Sequence, residues 1–383
     1  MTRPRLLFHC QHSLGLGHLV RSLALASGLA EHFDVVLLNG GRLPEGARVP
    51  EDVRLVNLPP LGHDAAHRLV SHDPELTVDE AMDLRRDLVL RTYRDTAPAV
   101  VLVELYPFGR RKFEFELLPL LDAVAATPDR PLVVCSVRDI LVGRDDGGRH
   151  DERASRRANA SFDAVLVHAD PAFARLEESF HPRTPLAVPV HHTGFVAPEA
   201  PPADAPPVER VLVSAGGGMV GAPLFRAAAD AAGAVHRRTG LPTTIVAGPF
   251  LPRDALAELR ARAAEAPELD VVSRVDDLAG EIRRSTVSVS QCGYNTTLDL
   301  LRAGTPAVVV PYADAGEDEQ TRRAERLAAM GALRAVHPAE LDGDRLAEEV
   351  VELVRFRPAP VALDLDGRRR SARIVAELAG VLR

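Results

Sequence analysis

Short, almost uninterrupted runs of valine, leucine and isoleucine constrain this chain most. RLLFHC (5–10), FDVVLLNGG (33–41), VRLVNLPP (53–60), AVVLVELYP (99–107), PLVVCSVRD (131–139) and FDAVLVHAD (162–170) lie in the first half. RVLVSAGGG (210–218), TTIVAGP (243–249), LDVVSRV (269–275), TVSVSQCG (286–293) and PAVVVPY (306–312) lie in the second. A strand buried on both faces reads as continuous apolar sequence, and helical periodicity stands between the runs, as at 18–31, 78–95, 113–126, 222–238, 253–265 and 294–304. Strand–helix alternation of this kind builds parallel sheets covered by helices. The expected fold class is therefore α/β, as two doubly wound Rossmann-like domains facing across a cleft.

The texture breaks once. LAVPVHHTGFVAPEAPPADAPPV (186–208) is dominated by proline and alanine and loses all periodicity, as a semi-rigid linker does. The division that follows is a first domain at 1–190, a Pro-rich linker at 191–208, a second domain at 209–360 and a C-terminal helix at 361–383. Ile374, Leu378 and Val381 give that last helix an apolar side, with the first domain as its candidate dock.

Composition excludes several classes of function. The 383 residues carry a net charge of −8, no tryptophan and 4% aromatics, which argues against binding nucleic acid. Cys10, Cys135 and Cys292 are odd in number, far apart and without a C-x-x-C, so neither a disulfide framework nor a zinc site is expected. The N-terminal MTRPRLLFHCQH has too short an apolar run for a signal peptide. No stretch approaches the roughly 18 apolar residues of a membrane span. A reducing cytoplasm is the expected location.

In open parallel sheets, ligands bind beyond the carboxyl ends of the strands. Gly15-Leu16-Gly17-His18 follows the first strand and opens a helix. Glycines there allow close backbone approach, and the helix dipole favours a neutral imidazole at His18, as a general base requires. The plain alternative is a tight corner with His18 as a cap. Gly216, Gly217 and Gly218 form a second strand-to-helix turn, and Gly293, Tyr294, Asn295 and Thr296 a third, whose backbone N–H groups suit a diphosphate. Asp299, farther along that helix, is a candidate for two ribose hydroxyls; otherwise Asn295 and Thr296 cap and Asp299 is merely exposed. Glu319 and Gln320 open a helix after a buried strand and are candidates for sugar hydroxyls.

FGRRKF (108–113) mixes basic and aromatic residues at a strand end and is a candidate for an anionic acceptor or a membrane surface, against a plain solvated loop. Glu104, just before it, is a candidate to orient His18 or act as a second acid–base group, the alternative being a salt bridge to Arg110 or Arg111. Arg110 and Asp139, each just past a strand, belong to the same edge. His191-His192 and Asp276-Asp277 supply no set of three or four metal ligands, so no metal and no cofactor is expected.

Taken together these motifs resemble the GT-B glycosyltransferases, most closely the family of the peptidoglycan N-acetylglucosaminyltransferase and a poorly characterised bacterial branch beside it. The resemblance is clearest over 208–335, in VSRVDDLAGEIRRSTVSVSQCGYNTTLDLLRAGTPAVVVPY followed by EDEQTRRAERL, and touches the first half around 5–30. SLGLGHLVRSLALA and PFGRRKF are shared with the bacterial branch.

The resemblance implies that the second domain binds a nucleotide diphosphate sugar, UDP-sugar favoured, and the first a hydroxyl acceptor, small or lipid-linked, with peripheral membrane contact. It puts the donor diphosphate at Gly293 and Tyr294, the ribose at Asp299, the donor sugar at Glu319 and Gln320, the base at the backbone of Val275, and the acceptor near His18. This sequence departs from the family in four ways. Gly218 replaces a serine, Met219 or Val220 is inserted, Glu319 replaces a glutamine, and Asp299 is one methylene shorter than the family's glutamate. The implied reaction is a metal-independent, inverting glycosyl transfer with His18 as base.

The first turn also resembles a GT-B-like nucleotide-sugar hydrolase whose G-x-G-H-x-x-R start carries a water-activating histidine; Gly15 through Arg21 has that spacing. Hydrolysis and non-catalytic nucleotide-sugar binding therefore stand as alternatives. A sugar-nucleotide epimerase needs more acidic groups than these motifs supply.

Overall fold

The apolar runs form strands in a computed structural model that describes residues 3–12, 17–44, 47–64, 68–143, 146–199, 206–313 and 318–382. The first half runs β1 (Arg5–Cys10), α1 (Gly17–Leu29), β2 (Asp34–Asn39), β3 (Val53–Asn57), β4 (Leu61–His63), β5 (Leu69–Ser71), α2 (Val78–Thr96), β6 (Val100–Glu104), α3 (Glu114–Ala125), β7 (Leu132–Arg138), α4 (Arg149–Ser161), β8 (Ala164–His168) and β9 (Val190–His192). The second runs β10 (Val208–Ser214), α5 (Ala222–Thr239), β11 (Thr243–Val246), α6 (Arg253–Glu265), β12 (Leu269–Val272), α7 (Leu278–Arg284), β13 (Ser285–Ser290), α8 (Tyr294–Ala303), β14 (Ala307–Val309), α9 (Glu319–Ala329), β15 (Arg334–Ala335), α10 (Gly343–Leu353) and finally α11 (Gly367–Leu378).

Two compact units result. Residues up to 12, His18–Pro198 and 363–382 belong to unit 1, and Gly17 with 199 and 206–362 to unit 2. Unit 1 holds a seven-stranded sheet in the order β3-β2-β1-β6-β7-β8-β9, and unit 2 a six-stranded one in the order β12-β11-β10-β13-β14-β15. All pairings in both are parallel. Burial explains the apolar runs: Val100, Val101, Leu102 and Val103 of β6 are all 0% exposed. Each such side chain contributes about 1.5–3 kcal/mol over an exposed one.

Both sheets reverse direction next to their first strand, between β1 and β6 in unit 1 and between β10 and β13 in unit 2. At such a switch point the loops leave to opposite sides and open a crevice at the strand ends. In unit 1 the flanking ends carry His18 and Glu104; in unit 2 they carry the Gly216–Gly218 turn and the Gly293 turn.

The linker expected at 191–208 needs correction. Val190–His192 pairs in parallel with β8, and Phe195 and Val196 are buried in unit 1, so that unit claims residues up to Pro198. The expectation failed because a three-residue edge strand has too few positions to show periodicity, and Pro189 before it reads as a loop. At its other end β10 already begins at Val208. Helix α11 lies in unit 1: Ala372, Val375 and Ala376 join the cluster that holds Leu6, Phe8, Leu25 and Leu29. The β4–β5 hairpin is a further element that sequence periodicity did not mark.

Candidate active site

In unit 1, β1 leads to α1, and His18 occupies that helix's second position. Its Nδ1 stands 2.6 Å from Glu104 Oε1. A carboxylate only accepts, so Nδ1 carries the proton and Nε2 keeps its lone pair. Arg21, one turn on and 2% exposed, places Nη2 2.5 Å from the same oxygen. Arg110 approaches Glu104 Oε2 at 3.6 Å. Leu105 and Arg110 both have positive φ, 64° and 60°, a strained conformation for such residues that turns the loop sharply back at the end of β6. The Gly109 N–H donates to the Leu105 carbonyl within that loop.

The electrostatics follow from this crowding. Two guanidinium groups compensate the Glu104 carboxylate, which is held far below the usual carboxylate range despite its burial. His18, removed from water and flanked by Arg110 and Arg21, is lowered to about 3, with Glu104 offsetting part of the effect. The imidazole is therefore neutral at physiological pH. Its side chain is still 17% exposed, so a reactant can reach it.

Beneath this site lies a buried, charge-paired polar network. Arg85 engages all five of its N–H positions: Nε and one Nη2 bond on Glu116, Nη1 on the Gly40 and Pro59 carbonyls, and the second Nη2 bond on Gln11. His9 completes the Glu116 carboxylate at 2.9 Å. Burial of such a network is tolerable because its opposite charges are paired and hydrogen-bonded.

In unit 2 the site is built from backbone. Helix α8 starts at a turn whose N-cap, Gly293, offers no side chain. Helices α2, α7 and α10 are capped by Thr77, Asp277 and Asp342, whereas α3, α4, α5, α6, α9 and α11 are, like α8, without a capping side chain at the N-cap. At α8 the N-cap glycine leaves the helix's partial positive charge facing a position with no side chain of its own. Gly293 has an ordinary φ of −66° and nothing within 4 Å of where a Cβ would be. The fold itself does not require glycine there. Arg323, 0% exposed, donates through Nη1 to the Cys292 carbonyl at 2.6 Å and fixes the turn from below.

The Gly216–Gly218 turn divides in two. Gly218 donates its N–H to the Ala215 carbonyl, and a Cβ on it would strike the Ala247 carbonyl oxygen. Its role is packing: two loops meet backbone to backbone, with a Cβ on Gly248 only 2.6 Å from the Gly217 carbonyl carbon. Gly216 has nothing within 4 Å of its Cβ position and lies at φ 53°.

Among the other sequence candidates, Tyr294 and Thr296 are buried, at 6% and 8% exposure, so they present backbone rather than side chain. Asp299 lies one turn beyond Asn295 on the same face of α8. Burial raises its carboxyl to about 7, with Arg302 opposing. Gln320 accepts from the Tyr312 N–H through Oε1 at 3.1 Å, which leaves its amide donors to point elsewhere. Glu319 is buried beside it at the start of α9, and Val275 is half-buried in the loop after β12. Asp139 is buried just past β7. Gly15 lies outside the described residues, and Gly17 is the first residue of α1.

Arg323 lay outside the sequence candidates, and Arg21 entered only as the last position of the G-x-G-H-x-x-R spacing, without a role of its own. Arg21 had a signal, a charge three residues after His18 on an otherwise apolar helix face. Arg323 had only a weaker one, an arginine on the buried side of α9. Among the described residues no group of three or more His, Cys, Asp or Glu side chains is placed to hold a metal ion. No helix among them is long and apolar enough to cross a membrane.

Two parallel sheets, each with a crevice at its switch point, define the GT-B architecture, and solved structures agree. The crystal structure of Acinetobacter baumannii MurG superposes with a TM-score of 0.58 at 16% identity over 98% of this chain and 100% of that one. The glycosyltransferase of kitacinnamycin does so with a TM-score of 0.60 at 19% identity, over 99% and 98%. Unit 2 is more specific: residues 217–371 match the glycosyltransferase family 28 C-terminal domain.

The sequence is 31% identical over 189 residues to the UDP-N-acetylglucosamine–N-acetylmuramyl-(pentapeptide) pyrophosphoryl-undecaprenol N-acetylglucosamine transferase of Solibacter usitatus, covering 47% of this chain and 50% of that protein. Against the protein of the same name from Sorangium cellulosum it is 31% identical over 134 residues, 33% of each. The chain thus spans half the length, or less, of these curated relatives. It has the GT-B fold, its residues 217–371 match the glycosyltransferase family 28 C-terminal domain, and about half of it is similar in sequence to the peptidoglycan N-acetylglucosamine transferases.

Proposed function

We propose that this protein transfers a sugar from a nucleotide diphosphate sugar to a hydroxyl acceptor, with inversion and without a metal. The observation that carries the reading is the uncapped turn at Gly293, at the switch point of the unit that matches family 28. Backbone N–H groups at a helix start stabilise a departing diphosphate as charge develops on it. Asp299 receives the ribose hydroxyls, Glu319 and Gln320 the sugar, the Val275 backbone the base, and Gly216 and Gly217 lend backbone room. UDP is the favoured nucleotide, since the relatives are named for a UDP-sugar.

Unit 1 takes the acceptor, with Gly15, Gly17, Arg110 and Asp139 on its side of the reaction. His18 Nε2 removes the proton from the attacking hydroxyl. Glu104 holds the Nδ1–H tautomer and stabilises the imidazolium as it forms. The acceptor is small or lipid-linked, and the protein works in the cytoplasm, with peripheral contact to a membrane if the acceptor is a lipid.

The test is calorimetric titration with UDP, TDP and GDP, then product analysis with the UDP-sugar. Tight binding of UDP and sugar transfer to an added acceptor support the proposal; no affinity for any nucleotide diphosphate sinks it. A second reading has its own support. His18, with Gly17 before it and Arg21 three residues on, meets Arg21 at Glu104, and this pairing suits activation of water equally well, which makes the protein a nucleotide-sugar hydrolase. Rapid release of free sugar from donor alone, unchanged by acceptors, selects it.

A further inference from the structure

One cavity lies outside everything assigned so far. It is an open pocket of about 670 Å³ in unit 1, lined by Gly147, Gly148, Arg149, Arg153, Arg157 and Arg183, among others. Arg149, Arg153 and Arg156–Arg157 recur at helical spacing along one stripe of α4, while Ala154, Ser155 and Ala158 face the core. Arg183 comes from the segment before β9 and adds a guanidinium from a second direction.

A row of arginines on a helix is usually a solvated face, balanced by nearby acids. Here the acids are engaged by other groups. Glu152, which also lines the pocket, accepts from the Thr184 N–H at 2.9 Å, the Thr184 hydroxyl at 2.7 Å and Arg156 Nε at 2.7 Å. Asp146 accepts from the His150 N–H, and Asp151 from the His181 N–H. Among the described residues no carboxylate lies within ion-pair distance of Arg149, Arg153, Arg157 or Arg183, whereas Arg156 has Glu152. A chain with a net charge of −8 therefore concentrates uncompensated positive charge in one concavity.

The pocket is also anchored. His150 is 7% exposed and its Nε2 is 2.9 Å from the Phe108 carbonyl, which ties the start of α4 to the loop between Glu104 and Arg110. Guanidinium groups converging from two segments pair with phosphate oxygens in a way that single charges on a flat surface do not. A volume of several hundred Å³ suits a small molecule.

We propose that this arginine pocket binds a phosphate-bearing anion, separate from the nucleotide turn at Gly293. The phosphate belongs either to a soluble diphosphate compound or to the headgroup of a lipid. The proposal does not depend on the enzymatic reading, since it involves different residues in a different unit.

The test titrates the full chain with inorganic pyrophosphate by calorimetry and, in a second arm, sediments it with vesicles of phosphatidylglycerol or of phosphatidylcholine. R157Q/R183Q is the primary variant, and R153Q, on the exposed side of α4, repeats the test should the double variant fold poorly. G293V serves as control for the other turn. Saturable pyrophosphate binding that weakens about tenfold or more in the arginine variants and persists in G293V supports a soluble ligand. Sedimentation with phosphatidylglycerol alone, lost in the arginine variants, supports the lipid source. Binding in neither arm overturns the proposal. So does binding that survives the arginine substitutions when they are made in the G293V background, or binding lost only in G293V, which assigns the anion to unit 2.

Discussion

The two switch-point crevices solve the same task with opposite materials. In unit 1 the strand ends carry charge: His18, Arg21 and Arg110 crowd one buried carboxylate. In unit 2 the strand ends carry almost no side chain, and the turn at Gly293 offers backbone N–H groups and room. The contrast teaches that a parallel sheet fixes where a site lies but not its chemistry. Side chains set at the ends of β1 and β6 make a site sensitive to charge and to exact atom placement. Glycines at the ends of β10 and β13 make one sensitive to added volume.

The sharpest way to break this comparison is at His18. H18A is expected to lower turnover about 10²- to 10⁴-fold, the usual share of a general base. Its affinity for UDP should remain within a factor of two or so, since the nucleotide is assigned to the other unit; steady-state kinetics beside calorimetry checks both. Near-normal turnover at saturating substrates refutes the base assignment.

Next in size is Glu104. E104Q leaves Arg21 and Arg110 without their carboxylate, at a cost of about 3–5 kcal/mol in unfolding free energy. Denaturant unfolding measures it, and E104Q/R21M should recover part of the loss, because it removes an uncompensated charge. Failure of the double variant to recover stability refutes the account of the pair.

A smaller effect sharpens the unit 2 side. G293A is expected to leave apo stability unchanged within about 0.5 kcal/mol, because nothing occupies the space a methyl group would take. UDP affinity should fall about tenfold. A protein destabilised by G293A but unaltered in UDP binding would show the glycine to be structural.

The smallest effect concerns pH and Asp299, whose carboxyl is raised to about 7. If the carboxylate form accepts ribose hydroxyls, UDP binds more tightly as pH rises from about 6 to 8, and D299N abolishes that slope. Stability moves the other way. The folded state holds the Asp299 proton more firmly than the unfolded chain does, so the contribution of this group falls as pH rises from about 4 to 7 and then levels off. D299N should therefore raise the melting temperature of the apo protein at pH 8 by a few degrees, on the order of 1 kcal/mol. His18 contributes with a different sign: its pKa is lowered to about 3, so stability is lost as pH falls from about 6.5 towards 3.

Much of the fold was legible because buried parallel strands leave little freedom in sequence. The helix assigned to 253–265 occupies Arg253–Glu265, and that assigned to 78–95 runs Val78–Thr96. What escaped notice was short or on an edge. Val190–His192 pairs along a single side, and the β4–β5 hairpin has three residues per strand. In elements of that length, neighbours rather than periodicity decide the conformation.

The sequence by itself determined that apolar runs must be covered on both faces, that glycines punctuate their ends, and that a histidine follows the first strand. Those properties are local, written in spacing and side-chain type. Only the tertiary structure decided that β6 lies beside β1, which brings Glu104 to His18 across 86 positions of sequence. It also decided that Arg21 shares the same oxygen, and that α11 returns to the core of unit 1. Strand order is set by which faces can be buried together, a property of the whole assembly that no stretch of residues carries alone.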